Sequence, residues 1–142
     1  DIVEINEAFV QHLERRFAQE PAWRRRRRLV RLLHMPVQEV PGQGTYDFLI
    51  SGLPLNNFSL ELVDAIFQAY QRLTRPGGML SYFEYAAIRG LKRLLVGPGE
   101  KQRLGALGAY LQGQLDRYQV SQELVWLNVP PAVARHLRFR QP

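Results

Sequence analysis

Cysteine is absent from this chain of 142 residues. Its absence excludes disulfides, thiolate catalysis and cysteine-ligated zinc or iron–sulfur sites, and it fits a reducing compartment. The three histidines, His12, His34 and His136, lie far apart without ligand-like spacing, so no metal site is expected. No stretch approaches the ~20 apolar residues of a membrane span, and the N-terminus lacks a signal-peptide pattern. Repeats, linkers and low-complexity segments are also lacking, so a single domain over residues 1–142 is predicted.

Lysine and acidic residues are scarce relative to arginine. The formal net charge is +6, and 17 of the 19 basic residues are arginines. The planar guanidinium suits phosphate, so the expected partners are anionic: a nucleic acid or an acidic membrane surface. The densest cluster, residues 24–28 with Arg31, follows Trp23. It is interpreted either as a solvated loop and strand edge or as a phosphate-facing patch with Trp23 entering an interface.

Short apolar runs alternate with amphipathic stretches along the chain, which is typical of an α/β fold. The predicted strands are residues 1–5, 29–33, 46–51, 79–83, 124–128 and 134–139. The predicted helices are residues 7–17, 60–73 with Ser59 as cap, 86–95 and 100–118, and turns are expected at 41–44, 75–78 and 96–99. The short link with prolines between the last two strands predicts an antiparallel hairpin at the end of the sheet.

The segment 46–58 is the most informative one. Its strand 46–51 runs into a polar turn in which Gly52 and Pro54 prevent continuation of the ladder. Ligands bind at the carboxyl ends of strands in open α/β sheets, and the free carbonyls there, with a nearby Asn, are suitable acceptors for an amine. The alternative is an ordinary loop between a strand and a helix.

Four motifs follow one another along the chain: Val3-Glu4-Ile5-Asn6 with Phe9-Val10, residues 51–58, Phe83-Glu84-Tyr85 with Arg89, and residues 127–132 continuing through Arg135-His136-Leu137. Together they resemble the class I S-adenosylmethionine-dependent methyltransferases. The family they resemble most is the bacterial phosphatidylethanolamine N-methyltransferases, which are related to ribosomal RNA adenine dimethylases. The resemblance spans nearly the whole chain and implies a Rossmann-like sheet, mostly parallel, with a C-terminal antiparallel hairpin.

Two departures from the family accompany this resemblance. The glycine-rich first loop and the first strand are expected upstream of Asp1, so the chain corresponds to about two-thirds of the family's fold. The acid that usually meets the adenine amino group is not seen in residues 33–39, so adenine contacts there would come from backbone, from Gln38, or not at all.

The resemblance also implies how S-adenosyl-L-methionine would be held. Glu4 would accept hydrogen bonds from both ribose hydroxyls, since a carboxylate presents two acceptor oxygens. Ile5 would pack near the ribose and adenine, Met35 and Pro36 would wall the base, and Ser51 would also contact the cofactor. Without the family, the favoured interpretation of Glu4 is an exposed acid that begins a helix with Asn6.

The turn Ser51, Gly52, Leu53 and Pro54 is predicted to line the methyl-transfer site. Holding an amine nitrogen near the methyl carbon is the main task there. No strong general base is identified, because Glu84 is the one nearby acid and is equally well interpreted as solvated or capping.

Three further residues are predicted to bind the acceptor. Tyr82, Tyr85 and Arg89 lie near the end of the fourth strand, where Tyr85 and Arg89 would clamp a lipid phosphate. Phe83 is expected in the core, and aromatic rings there would tolerate a methylated cation.

The predicted function is methylation of phosphatidylethanolamine, and of its methylated products, by a cytoplasmic enzyme bound peripherally at the inner face of the membrane. One alternative is an RNA adenine-N6 methyltransferase, which the arginines would serve but the Leu55 after Pro54 does not favour, since it cannot stack on a base. The other is a non-catalytic anion-binding module that retains the fold.

Overall fold

The computed structural model describes residues 1–85, 97–126 and 131–139, without the side chains of Tyr85 and Pro98. The chain separates into two compact units, Asp1–Pro41 and Gly42–Pro142. That the two units belong to one domain stays a prediction.

The first unit contains a pair of short parallel strands with two helices between them. They are β1 (Ile2–Glu4), α1 (Glu7–Gln19), α2 (Pro21–Arg24) and β2 (Leu32–His34). Helix α1 begins where predicted because the Asn6 side chain accepts the backbone N–H groups of Ala8 and Phe9. Val10 and Phe17, which lie on one face of α1, are buried.

The second predicted strand is wrong at its start. Residues Arg27–Leu29 form a 3-10 turn, and β2 begins only at Leu32. The backbone N–H of Val30 donates to the Arg27 carbonyl, and the Arg27 guanidinium donates to the Val30 carbonyl at 2.8 Å. These local bonds satisfy the backbone groups that a strand would have paired across the sheet.

The second unit is a four-stranded mixed sheet with helices in the connections. Its elements are β3 (Tyr46–Ser51), α3 (Leu60–Leu73), β4 (Thr74–Tyr85), α4 (Pro98–Tyr118), β5 (Gln119–Val125) and β6 (Ala132–Leu137). The strand order is β3-β4-β6-β5, with β3 parallel to β4 and with β6 antiparallel to both neighbours. The predicted α/β class with a C-terminal antiparallel hairpin is confirmed.

The predicted turn at residues 75–78 is contained within β4. Tyr46 pairs with Thr74 and Phe48 with Met79, so β4 has three more residues than β3 between the same two pairings. Gly77, at φ 79°, takes the left-handed conformation that this irregularity requires. The sequence therefore located the irregularity correctly and misjudged its context.

Other predicted bounds also shift. Helix α4 begins at Pro98 rather than at residue 100, with Gly97 as its cap. Strand β5 begins at Gln119 directly after α4 rather than at 124, and β6 spans Ala132–Leu137 rather than 134–139. The helix predicted over 86–95 lies outside the described residues.

The core of the second unit lies against one face of the sheet. Phe67 of α3 is fully buried, and its ring meets the rings of Tyr70, Tyr82 and Tyr110 edge-on at centroid distances of 5.8–6.0 Å. The aliphatic part of this core comes from both helices and from β4 and β6: Val63, Leu73, Leu80, Leu107, Leu111 and Leu137. Burial of each such side chain stabilises the unit by about 1.5–3 kcal/mol. This core holds the ends of β3 and β4 in place.

Candidate functional site

A buried pair of hydroxyl groups stabilises the turn after β3. Ser51 ends β3, and its Oγ lies 2.6 Å from the Tyr70 hydroxyl of α3. The same Oγ accepts the backbone N–H of Leu53 at 3.3 Å. Ser51 thus uses its hydroxyl to position the turn, and its predicted contact with a cofactor stays a prediction.

Burial changes the acidity of the tyrosine in this pair. Tyr70 is buried, which raises the pKa of its hydroxyl to about 12, although the hydrogen bond with Ser51 acts in the opposite direction. Burial also raises the pKa of Tyr110, which donates to the Asp64 carboxylate at 2.8 Å. Tyr70 consequently remains a neutral hydroxyl throughout the physiological range.

A cleft of about 340 Å³ lies beside this turn. Its walls come from the turn and the following 3-10 helix, from the end of β4 and from α4: Gly52, Leu53, Pro54, Leu55, Asn56, Asn57, Tyr82, Phe83, Glu84 and Leu111. Three of the four residues predicted for methyl transfer, and Tyr82 among those predicted for the acceptor, therefore line one cleft. The lining is largely apolar with a few polar groups, which is typical of a small-ligand site.

Phe83 was predicted in the core, and that prediction is wrong. Its side chain is 41% exposed and lines the cleft. A Cβ at Gly52 would lie 3.3 Å from the Phe83 ring, so the turn approaches this aromatic closely because residue 52 has no side chain. The ring is thereby placed against the predicted transfer turn.

Glu84 is neither solvated nor a helix cap. It lies in β4, its side chain is 10% exposed, and its Oε1 accepts the Arg135 Nε of β6 at 2.5 Å. The Arg135 Nη1 donates further to the side-chain oxygens of Gln119 and Gln122 at 3.0 and 2.8 Å. A buried carboxylate needs such a counter-charge, and Arg135 therefore fixes it beside the cleft.

Arg103 of α4 holds the far side of the turn. Its guanidinium donates to the Phe58 carbonyl at 2.6 Å and to the Asn56 carbonyl at 3.3 Å. The Glu100 carboxylate orients the guanidinium through two further bonds of 2.6 and 2.9 Å. Sequence reasoning gave neither Arg103 nor Arg135 a role at this site. Arg135 entered only as part of a motif, and the residues next to the cleft that the two guanidinium groups hold, Phe58 and Glu84, are 45 and 51 positions away.

The proposed clamp for a lipid phosphate is not described. Tyr85 ends β4, but its side chain and the whole of Arg89 lie outside the described residues. Their assignment stays a prediction.

Four of the five predicted cofactor residues, all except Ser51, lie at one edge of the strand pair in the first unit. Strands β1 and β2 are parallel, with Glu4 opposite His34, so Ile5 and the Met35-Pro36 pair follow at the same carboxyl edge. The Glu4 Oε1 accepts the backbone N–H of Asn6 at 2.7 Å, and the His34 Nε2 lies 3.1 Å from the Ile5 carbonyl. A carboxylate offers about four acceptor positions, so Glu4 retains capacity for a diol and fits a ribose.

The described residues lack two features that other functions would need. No group of three or more His, Cys, Asp or Glu residues suited to a metal ion occurs there. None of the described helices combines the length and apolar character needed to cross a membrane.

The fold is found in several solved structures, whereas no family model and no curated protein matches the chain. The N-methyltransferase NodS from Bradyrhizobium japonicum is 10% identical, with a TM-score of 0.57 over 98% of this chain and 72% of that one. A 16S rRNA (adenine(1408)-N(1))-methyltransferase mutant from Catenulisporales acidiphilia is 14% identical, with a TM-score of 0.61 over 99% and 72%. The 1,6-didemethyltoxoflavin-N1-methyltransferase from Burkholderia thailandensis, with bound S-adenosylhomocysteine, is 16% identical, with a TM-score of 0.57 over 88% and 59%.

These similarities define the fold of the chain. It is the Rossmann-like fold of class I methyltransferases, and the chain spans 52% to 72% of the length of matched structures. At such low identities the likeness carries the fold alone.

Proposed function

We propose that the chain is the catalytic part of an S-adenosylmethionine-dependent N-methyltransferase that acts on the amine of phosphatidylethanolamine and its methylated products. The cleft between the Gly52-Pro54 turn and Glu84 is the observation that carries the proposal. The cofactor is supported by the shared fold, since NodS and the didemethyltoxoflavin enzyme were crystallised with S-adenosylhomocysteine. The lipid acceptor is supported by the family resemblance of the motifs, and it places the enzyme peripherally at the inner face of the membrane.

Different residues would bind the cofactor and the acceptor. Glu4 would accept both ribose hydroxyls of the cofactor, Ile5 would pack near the ribose, and Met35 and Pro36 would wall the adenine. When bound, S-adenosylmethionine supplies an activated methyl group. The residues of the cleft then have to hold the acceptor nitrogen about 3 Å from that carbon and in line with the breaking bond.

The amine of ethanolamine is protonated at neutral pH, so the cleft has to favour its neutral form. An apolar lining disfavours a charged amine and lowers its pKa. Carbonyl groups of the Ser51-Leu53 turn would orient the neutral nitrogen, and the Glu84 carboxylate would accept an N–H from it. As methyl groups accumulate, the exposed Phe83 ring would accommodate the cation through its π face.

An RNA adenine methyltransferase is the second candidate, because one matched structure is a 16S rRNA adenine methyltransferase. The turn argues against it. Leu55, which follows Pro54 where such enzymes place a base-stacking aromatic, is buried and has no π face.

Methyl transfer to both acceptors can be measured in one experiment. The full-length protein is incubated with radiolabelled S-adenosylmethionine and with total lipid or total RNA. We expect label in methylated phosphatidylethanolamine and not in RNA, and label in RNA alone would refute the lipid assignment. Label in neither acceptor, with no cofactor binding by calorimetry, would favour the non-catalytic module.

Two variants test the residue roles. Glu4→Ala is expected to abolish cofactor binding, and an unchanged cofactor affinity would refute its role. Glu84→Gln is expected to lower lipid turnover at least tenfold with cofactor affinity retained. Glu123→Gln, which removes an exposed carboxylate of β5, is the matched control for charge.

A further inference from the structure

Six arginines and no acidic residue occupy positions 21–31, which we name the arginine segment. The segment connects α1 to β2 in the first unit and contains α2 and a 3-10 turn. Its charge is not used by the site proposed above. A local charge of +6 on eleven residues is costly unless a partner or solvent compensates it.

Two of the six guanidinium groups have structural partners. Arg31 forms a bidentate ion pair with the Asp1 carboxylate. Arg27 donates to the Val30 carbonyl and lies over the Phe17 ring, 5.6 Å from its centroid. These contacts hold both side chains in place, and the Asp1 carboxylate also compensates the charge of Arg31.

The other four, Arg24, Arg25, Arg26 and Arg28, are exposed. Within residues 1–85, 97–126 and 131–139 no ion pair involves any of them. The neighbouring acids are engaged: Glu20 pairs with Arg16, and Asp1 pairs with Arg31. The surface of the segment therefore presents four exposed guanidinium groups without an acidic partner among the described residues.

The single aromatic residue of the segment is committed to packing. The Trp23 ring meets the Phe17 ring edge-on at 5.0 Å, and the Arg16 guanidinium covers its face at 4.1 Å. Single-stranded RNA is held by aromatic faces on which bases stack, and this segment offers none. Trp23 instead anchors the segment, so the four arginines project from a fixed base.

Leu29, the large exposed apolar residue of the segment, favours an anionic bilayer over a nucleic acid as the partner. Leu29 is 74% exposed directly after Arg28. An apolar side chain among basic ones suits the interface of an anionic bilayer, where the apolar group enters the headgroup region and the cations meet phosphates. A nucleic-acid backbone has no such apolar layer.

We infer that Arg24, Arg25, Arg26 and Arg28, together with Leu29, form a docking surface for an anionic phospholipid bilayer. The inference deepens the proposed function, because a lipid acceptor requires the enzyme to reach the membrane. Each basic residue near an anionic surface contributes about 1 kcal/mol, or roughly a fivefold factor in partitioning. Removal of four charges should therefore weaken binding by a factor of several hundred.

Vesicle sedimentation measures this partitioning directly. The full-length protein is mixed with vesicles of phosphatidylcholine containing 30%–40% phosphatidylglycerol, chosen as roughly the anionic content of an acidic membrane, and with vesicles of phosphatidylcholine alone. The test variant replaces the four arginines by Gln. The matched control replaces four exposed basic residues elsewhere by Gln, namely Arg15, Lys101, Arg117 and Arg138, and so has the same net charge.

The expected result is strong, salt-sensitive binding to anionic vesicles that the test variant loses several hundred-fold and the control loses less than tenfold. Leu29→Ser should weaken binding a fewfold without changing its salt dependence. Equal losses in the test and control variants would overturn the inference, as would absence of binding by the unaltered protein. Binding of a labelled single-stranded RNA that depends on the four arginines, with vesicle binding unchanged, would also overturn it.

The assay needs neither cofactor nor turnover, so the two proposals fail separately. Vesicle binding that depends on the four arginines, without lipid methylation, would refute the enzyme proposal and leave the docking surface standing. Lipid methylation in detergent, without arginine-dependent vesicle binding, would do the reverse.

Discussion

The hydroxyl pair beneath the transfer turn gives an unequal and measurable pattern of stability. Ser51 Oγ and the Tyr70 hydroxyl are 2.6 Å apart and both side chains are buried. Ser51→Ala removes the acceptor of the Leu53 N–H as well as the partner of the Tyr70 hydroxyl. Tyr70→Phe leaves Ser51 with its bond to Leu53, so the two changes should not cost the same.

The magnitudes follow from what each substitution leaves buried. Tyr70→Phe should cost about 1 kcal/mol, the net value of one hydrogen bond. Ser51→Ala should cost about 2–3 kcal/mol, because it strands a buried hydroxyl and a backbone N–H. In the double variant both partners are gone, so its cost should fall short of the sum by about 1 kcal/mol.

Urea unfolding of the four proteins, followed by circular dichroism, supplies the cycle. Methyl transfer measured alongside should fall more in Ser51→Ala than in Tyr70→Phe, since Leu53 lines the cleft. The reasoning is refuted if Tyr70→Phe is the more costly change. It is also refuted if the coupling is zero.

Three further predictions concern the supports of the cleft and the burial of tyrosines. Arg103→Lys should cost about 1 kcal/mol and lower turnover with unchanged cofactor affinity by calorimetry. An ammonium group lacks the planar fork that holds two carbonyls and both Glu100 oxygens at once, and full turnover would contradict this. Gly78→Ala should lower the free energy of unfolding in urea by at least about 1 kcal/mol, because the new Cβ would lie 2.8 Å from a backbone carbonyl oxygen. Gly108→Ala is the control: no atom lies within 4 Å of its new Cβ, so the change should be neutral or stabilising. The free energy of unfolding should fall from pH 10 towards pH 12, by about 2–3 kcal/mol for Tyr70, because unfolded Tyr70 ionises near 10 while the folded hydroxyl stays protonated. Measured at pH 9, 10 and 11, the free energy of unfolding of Tyr70→Phe should depend less steeply on pH, and the remaining dependence should come from Tyr110. An equal slope in the two proteins would contradict the assignment.

The parts of the fold that were predicted correctly are those with local signals. Ser59 caps α3, and its hydroxyl accepts the Leu62 N–H, as a Ser before an amphipathic stretch indicates. Strand β3 has the predicted bounds because Gly52 and Pro54 end it. Such features depend on residues a few positions apart, so a pattern suffices.

Strand β5 shows where local signals end. Val120 is the one apolar residue among positions 119–123, so the segment lacks the alternation of a half-buried strand. Among the described strands β5 is the edge of the sheet: it pairs with β6 and is mostly exposed, so polar side chains are tolerated along it. Pairing with β6 decides its conformation, and nothing within the segment does so.

The same distinction divides the candidate site. Glu4 ends β1 and the turn follows β3, as their local patterns predicted, and their roles toward ligands stay predictions. Their supports are distant in the sequence: Tyr70 is 19 positions from Ser51, Arg135 is 51 from Glu84, and Arg103 is 45 from Phe58. Only the packing of α3, α4 and β6 against β3 and β4 brings these supports near.

The supports of the cleft also have a kinetic consequence that the lining residues do not share. Arg135, Arg103 and Tyr70 do not line the cleft, but each forms a hydrogen bond with a residue in or next to its wall. Removal of one of them should therefore change the orientation of the turn or of Glu84 and leave the volume of the cleft intact. Methyl transfer depends steeply on in-line geometry, whereas binding tolerates small displacements. Substitution of a support should therefore lower kcat more than it raises KM for the acceptor, and substitution of Leu53 or Phe83 should do the opposite. A support variant that changed KM alone would show that the cleft binds the acceptor without aligning it.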